Sequence, residues 1–153
     1  MTIMSREQPP SESTYTWPFL ARAVLATPSA IGLLRDLAEV QLNKWGLAEL
    51  VDDALLIVSE LVTNACAAAP RTLIGFRMMV WPTLLVIEVY DSSGEPAVLQ
   101  EPETLAESGR GLWIVSHLAR HWGQRPEVGG GKTVYALLGL PAPPSAGNTR
   151  LGF

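Results

Sequence analysis

The sequence predicts an α/β (α+β) fold: a two-layer sandwich in which a mixed, mostly antiparallel sheet is covered on one face by three helices. Three observations predict it. Two stretches before Pro70 carry apolar residues at helical spacing, β-type runs pair around short turns at 72–91 and again at 122–138, and a further helical stretch separates the two pairs. The order is therefore strand, two helices, two strands, loop, helix, two strands. Helices and antiparallel pairs in that order stack as two layers around one core.

The elements follow from local sequence. Tyr15–Leu20 reads as a short strand, and Pro18, which cannot donate to a ladder, confines it to an edge. Ser29–Trp45 is a helix that follows Thr27-Pro28, presents Leu33, Leu37 and Val40 beside Leu34 and Ala38 at helical intervals, and stops at Gly46. A second helix runs from Ala48 to Ala68 and ends before Pro70. Thr72–Trp81 and Leu84–Asp91, rich in β-branched and large apolar residues, flank Pro82-Thr83 as a hairpin. Residues 92–109 hold Gly94, Pro96 and Pro102 and few large apolar groups, which predicts a long loop. Arg110–Arg120 returns to helix and ends near Gly123; Trp122–Val128 and Lys132–Leu138 then form a second hairpin around Gly129, Gly130 and Gly131. Polar, proline-bearing ends at 1–13 and 141–153 read as flexible tails around one domain at 14–140.

Composition narrows the functional classes. A chain of 153 residues, 48% hydrophobic, can bury a core without disulfides or a structural metal. Its net charge of -4 supplies no basic face for phosphate neutralisation, which argues against a direct nucleic-acid ligand. Cys66 is the single cysteine and lies in an alanine-rich apolar stretch, so it reads as a buried helix thiol in a reducing cytoplasm. No apolar run approaches the roughly 18 residues of a membrane span, and the first residues carry no apolar signal-peptide core. A soluble, cytoplasmic protein with no membrane association is expected.

The run GGGKT at 129–133 invites comparison with a phosphate-binding P-loop. That motif requires glycine at position 126, which is Pro126, and a helix after the Thr, where Val134–Leu138 instead reads as a strand. A tight turn between strands is the better reading. Three other features carry more chemistry. Glu60 and Asn64 stand four apart on a helix and so share a face, where an amide oxygen suits a hard cation and a carboxylate suits proton abstraction, although a solvent-facing stripe would read the same. Asp91 shares a strand face with Leu85, Ile87 and Val89, placing a carboxylate toward the helices; a turn-forming Asp before Ser92-Ser93-Gly94 is the alternative. Gly109 and Gly111 flank Arg110 at a helix start, where free amides and the helix dipole attract anions.

In order along the chain, Glu-x-x-x-Asn, Asp-x-x-Gly, Gly-x-Gly and a glycine turn with Thr resemble the boxes of the GHKL superfamily. That group comprises the ATP-binding domains of type II topoisomerases, certain chaperones, histidine kinases and mismatch-repair proteins. The wording SELVTNA, VYDSSGEP, GRGLWIVSHLARHWG and GKTVYALL is most similar to small stand-alone bacterial anti-sigma-factor serine kinases and related regulatory ATP-binding proteins, over about residues 25–139. The resemblance implies a Bergerat-type fold with ATP and Mg2+ as ligands. It implies that Asn64 coordinates the metal, Glu60 serves as general base, and Asp91 accepts a hydrogen bond from the adenine amino group, with Gly94 passing close to the base. It further implies that Gly109, Arg110 and Gly111 line the phosphate end, that Thr133 supports Asp91 or the adenine through water, and that 95–108 form a lid. Lys132 is expected to be solvated.

Two departures stand out. Cys66, Ala67, Ala68 and Ala69 follow the Asn box where relatives often carry basic or histidine residues, and the lid holds Glu101, Glu103 and Glu107 with no Lys or Arg before Arg110. The resemblance implies an ATP-dependent protein serine/threonine kinase that binds a sigma factor or analogous regulator and phosphorylates an antagonist protein. The departures motivate a second expectation, a non-catalytic module sensing ATP or ADP. A sensor histidine kinase is disfavoured, since no phosphoacceptor helical hairpin is expected and His117 and His121 are read as lying on the third helix as surface or satisfied core residues. The early strand and first helix are not needed for nucleotide contact, which leaves them available to a homodimer.

Overall fold

Proline and glycine punctuate the chain in the computed structural model, which describes residues 17–98 and 110–141. Strand β1 (Phe19–Leu25) begins just after Pro18, whose carbonyl accepts the Val80 N–H at 2.9 Å. It pairs with β2 (Leu73–Trp81) at the sheet edge, as the reading of Pro18 requires, but lies further along than Tyr15–Leu20. The reason is that Ala21, Arg22 and Ala23 carry little intrinsic β preference and become strand through cross-strand pairing. The tails expected at 1–13 and beyond Pro141 lie outside the described residues.

Helix α1 (Pro28–Lys44) opens on Pro28, whose missing N–H is no loss in a first turn, and buries Ala30, Leu34, Ala38 and Leu42 at intervals of one turn. The neighbouring stripe divides: Leu33 and Val40 are half exposed, while Leu37 packs against the edge of the core. Gly46 (φ 73) ends the helix: its N–H reaches Asn43 O and the Leu47 N–H reaches Leu42 O at 2.9 Å, the paired closure that a left-handed residue makes possible. A short 3-10 turn at Ala48–Leu50 leads into α2 (Val51–Ala68), which buries Ala54, Ile57, Val58, Leu61, Val62 and Ala65. That apolar stripe lies against the sheet and leaves Glu60 and Asn64 half-buried on its flank. Among the described residues no helix is long and apolar enough to cross a membrane.

With β3 (Leu84–Asp91), β4 (His121–Pro126) and β5 (Lys132–Gly139), the strands form one sheet in the order β1-β2-β3-β5-β4. All four pairings are antiparallel, the limiting case of the mostly antiparallel sheet expected. Directly opposed residues point to the same face, so the register sorts the side chains. Ile74, Phe76 and Met78 of β2, Leu85, Ile87 and Val89 of β3, and Val134, Ala136 and Leu138 of β5 join α1 and α2 in one core. Helix α3 (Arg110–Leu118) adds Leu112 and Val115 to it and packs on α2. Three helices on one face and an open face opposite make the predicted two-layer architecture.

The β4–β5 turn settles the glycine run. Gly129, Gly130 and Gly131 have φ of 91, 108 and 82°, the Glu127 N–H bonds to Gly131 O at 3.0 Å, and β5 rather than a helix follows. Gly131 is the constrained member, because a Cβ there would strike the Asp91 carbonyl and come within 2.7 Å of the Tyr90 ring, whereas Gly129 faces open space. Gly131→Ala is expected to cost at least about 1–3 kcal/mol, the strain of a left-handed alanine plus the clash. Gly129→Ala carries the strain alone. Urea unfolding of the two variants checks this, and equal midpoints would mean that the Asp91 contact is not felt.

Candidate functional site

Glu60 and Asn64 leave α2 on the same flank, one turn apart, as their spacing requires. Burial pushes the Glu60 carboxyl above the usual glutamate range, because the charged form loses solvation there. Gly111, in the first turn of α3, comes against it: a Cβ on Gly111 would lie 2.7 Å from Glu60 Oε2. Gly111 leaves the carboxylate lying close to a helix start, where the first amides have no intrahelical partner. Asn64 Nδ2 is buried and has no hydrogen-bond partner among the described residues. Rotation of the amide exchanges its oxygen and nitrogen, so that inward position can present either a donor or a cation-ligating oxygen.

Asp91 ends β3 on the helix side and is 1% exposed. Its Oδ1 accepts the Ser93 N–H at 2.9 Å and the Lys132 ammonium at 2.9 Å; its Oδ2 is buried with no partner among the described residues. The turn-former reading of Asp91 is thus half of the truth, accounting for one carboxylate oxygen and leaving the other.

Lys132 and Thr133 exchange the places expected of them. In the register Asp91 opposes Lys132 while Tyr90 opposes Thr133, so Lys132 meets Asp91 and Thr133 faces the open side of the sheet. There the Thr133 hydroxyl donates to Glu127 Oε1 at 2.6 Å, which, with Arg125 adding to it, holds the Glu127 carboxyl below its usual range. Lys132 is not solvated; it is 5% exposed. The signal was present in the alternation, since counting back by twos from Leu138, Ala136 and Val134 arrives at Lys132.

The remaining expected residues divide. Among the described residues nothing lies within 4 Å of a Cβ placed on Gly94, so they make no demand for glycine there. Arg110 opens α3, and Gly109 lies outside the described residues, as do 99–108 of the expected lid. The start of that segment is fastened by a reciprocal pair missed in the sequence: the Ala97 N–H donates to Gln124 Oε1 at 2.7 Å and Gln124 Nε2 donates to Ala97 O at 2.8 Å.

A groove of about 610 Å³ lies on the open sheet face, lined in part by Arg77, Glu88, Tyr90, Glu127 and Thr133, and includes none of Glu60, Asn64 or Asp91. Glu88 is buried there between Arg77 and Arg125, the latter at 3.0 Å. The Glu88 carboxylate is paired there, whereas both unpartnered buried side-chain atoms among the described residues belong to Asn64 and Asp91. The polar atoms left without a partner therefore lie on the α2–β3 side. Among the described residues no cluster of three His, Cys, Asp or Glu is placed to hold a metal. A magnesium ion suits such a surroundings all the same, since it keeps waters and binds through one or two protein oxygens plus phosphate.

A family model for the histidine kinase-like ATPase domain matches residues 24–137. No curated protein matches the chain. The matched range contains α1, α2, α3, β2 to β4 and most of β5, with Glu60, Asn64, Asp91 and Gly111 all inside it.

Proposed function

This chain belongs to the histidine kinase-like ATPase domain family, and from that premise we propose that it is a regulatory ATP-binding protein acting as a protein serine/threonine kinase. In this reading it binds a sigma factor or an analogous regulator in the cytoplasm and phosphorylates an antagonist protein. The observation that carries the nucleotide assignment is the pair of buried, unpartnered atoms, Asn64 Nδ2 and Asp91 Oδ2. A buried polar atom without a partner costs about 1–3 kcal/mol, so an external ligand that supplies a donor at Asp91 and a polar group at Asn64 recovers that cost.

The roles follow from chemistry. Asp91 Oδ2 accepts from the exocyclic amino group of adenine, and Gly94 leaves room for the ring. Asn64 would hold Mg2+ through its amide oxygen, and the metal would supply charge neutralisation for the phosphates. Glu60 accepts the proton of the attacking hydroxyl, and its burial supports that role, because a carboxylate whose pKa is raised by lost solvation is a stronger base. Gly111 lets the α3 start close on Glu60, setting carboxylate and helix amides side by side.

A second reading, an ATP- or ADP-sensing module without transfer, is favoured by the Ala67–Ala69 run and by Glu101, Glu103 and Glu107 with no Lys or Arg before Arg110 in that segment. Calorimetric titration with ATP and ADP, with and without Mg2+, followed by transfer from labelled ATP to co-purified partners, separates the two. Saturable ATP binding strengthened by Mg2+ and label on a Ser or Thr of a partner is the expected result. Binding without transfer leaves the sensing module, and no binding at millimolar nucleotide overturns both.

A further inference from the structure

The Asp91–Lys132 pair holds more hydrogen-bonding capacity than its two members use on each other. Lys132 Nζ donates to Asp91 Oδ1 at 2.9 Å, with side-chain exposures of 6% and 1%. An ammonium carries three N–H groups and no acceptor, and leaving donors unpaired is costly away from water. The adjoining Oδ2 is an acceptor with no partner among the described residues. A cationic donor and an anionic acceptor therefore stand on one carboxylate, both buried. The Gly131 turn presses this pair together: Gly131 lies against the Asp91 carbonyl and directly precedes Lys132, leaving no room for a side chain between the strands.

Resting on the nucleotide reading of this site, we infer that Lys132 contacts the base itself: its ammonium donates to ring nitrogen N1 of adenine while Asp91 Oδ2 accepts from the 6-amino group. The Watson–Crick edge of adenine presents an amino donor next to a ring acceptor, which matches an acceptor beside a donor. The lysine also places an opposite charge against the Asp91 carboxylate, offsetting part of the cost of burying it. Thr133, turned to the opposite face, has no part in this recognition.

The test compares three ligands on the intact protein: ATP, 1-deaza-ATP, which lacks the N1 acceptor, and purine riboside triphosphate, which lacks the 6-amino donor. Wild type is expected to bind 1-deaza-ATP about tenfold to a hundredfold more weakly than ATP, as befits loss of one charge-assisted hydrogen bond. Lys132→Met should bind ATP and 1-deaza-ATP alike and still reject purine riboside triphosphate. Equal wild-type affinities for ATP and 1-deaza-ATP, or a preference that survives in Lys132→Met, overturn the contact while the nucleotide reading stands. Failure of wild type to bind any of the three removes that reading and the inference with it. The wild-type comparison needs no variant and so holds even if Lys132→Met folds poorly.

Discussion

Asp91→Asn lowers the stability of the fold by about 3 kcal/mol and ATP affinity by about a hundredfold or more. The first effect follows because removing one charge of a buried pair strands the other, a loss of several kcal/mol that exceeds what the intact pair contributes. Lys132 is only 5% exposed, and the Asn oxygen replaces a charged acceptor with a neutral one. The second effect follows because an amide can satisfy Lys132 only by turning its NH2 toward the place of Oδ2, setting donor against the amino group of adenine, and two unsatisfied buried donors cost a factor of this size. The double variant Asp91→Asn/Lys132→Met separates the two losses. With no stranded charge it should recover most of the stability, while the affinity stays low because the Ser93 N–H still holds the amide oxygen at the place of Oδ1 and the Lys132 donor is gone as well. Urea unfolding and ATP titration of wild type, single and double variants check both parts. A single variant that unfolds at the wild-type midpoint would show that the ion pair is not buried.

How far the sequence reveals this site depends on whether a residue's role is set by its own segment or by a partner across the sheet. Asp91 was legible because Leu85, Ile87 and Val89 precede it at intervals of two, which places it on the core face without knowledge of any other strand. Glu60 and Asn64 were legible as a shared helix face for the same reason. Lys132 was misplaced because polarity outweighed parity: a lysine after three glycines reads as solvated unless the acid opposite is known, and that acid is 41 residues away. Glu88 was passed over likewise, since an acidic residue alternating with Leu85, Ile87 and Val89 looks exposed until the register brings Arg77 and Arg125 to it. The approach of Gly111 to Glu60 joins two helices, and nothing in either helix announces it. In β1 the alanines hide a strand, and in α1 two candidate stripes of similar apolarity compete, of which packing on α2 selects the one with the smaller residues. Small side chains allow close approach of two helices, an advantage that periodicity does not record.

Glu60→Gln separates the chemistry from the fold. If Glu60 takes the proton of the attacking hydroxyl, the amide cannot, and transfer falls by about 10²- to 10⁴-fold while ATP affinity holds, because no assigned contact to the nucleotide is lost. The pH dependence carries the sign of the burial effect. Wild-type transfer should rise with pH through an apparent pKa above that of an ordinary glutamate, and Glu60→Gln should lack that limb. Stability moves in the opposite sense. A carboxyl whose pKa is raised on folding favours the native state while it is protonated, and that contribution is lost as pH rises through the raised value. Above the raised value the ionised Glu60 thus weighs against the fold, and there Glu60→Gln, which keeps the shape without the charge, should unfold at an equal or higher urea concentration than wild type. The difference should close as the pH is lowered through the range where Glu60 protonates. Undiminished transfer in Glu60→Gln would remove the base assignment, and a variant less stable than wild type above the raised value would show that the carboxylate contributes to the fold through a contact rather than being held in place at its expense.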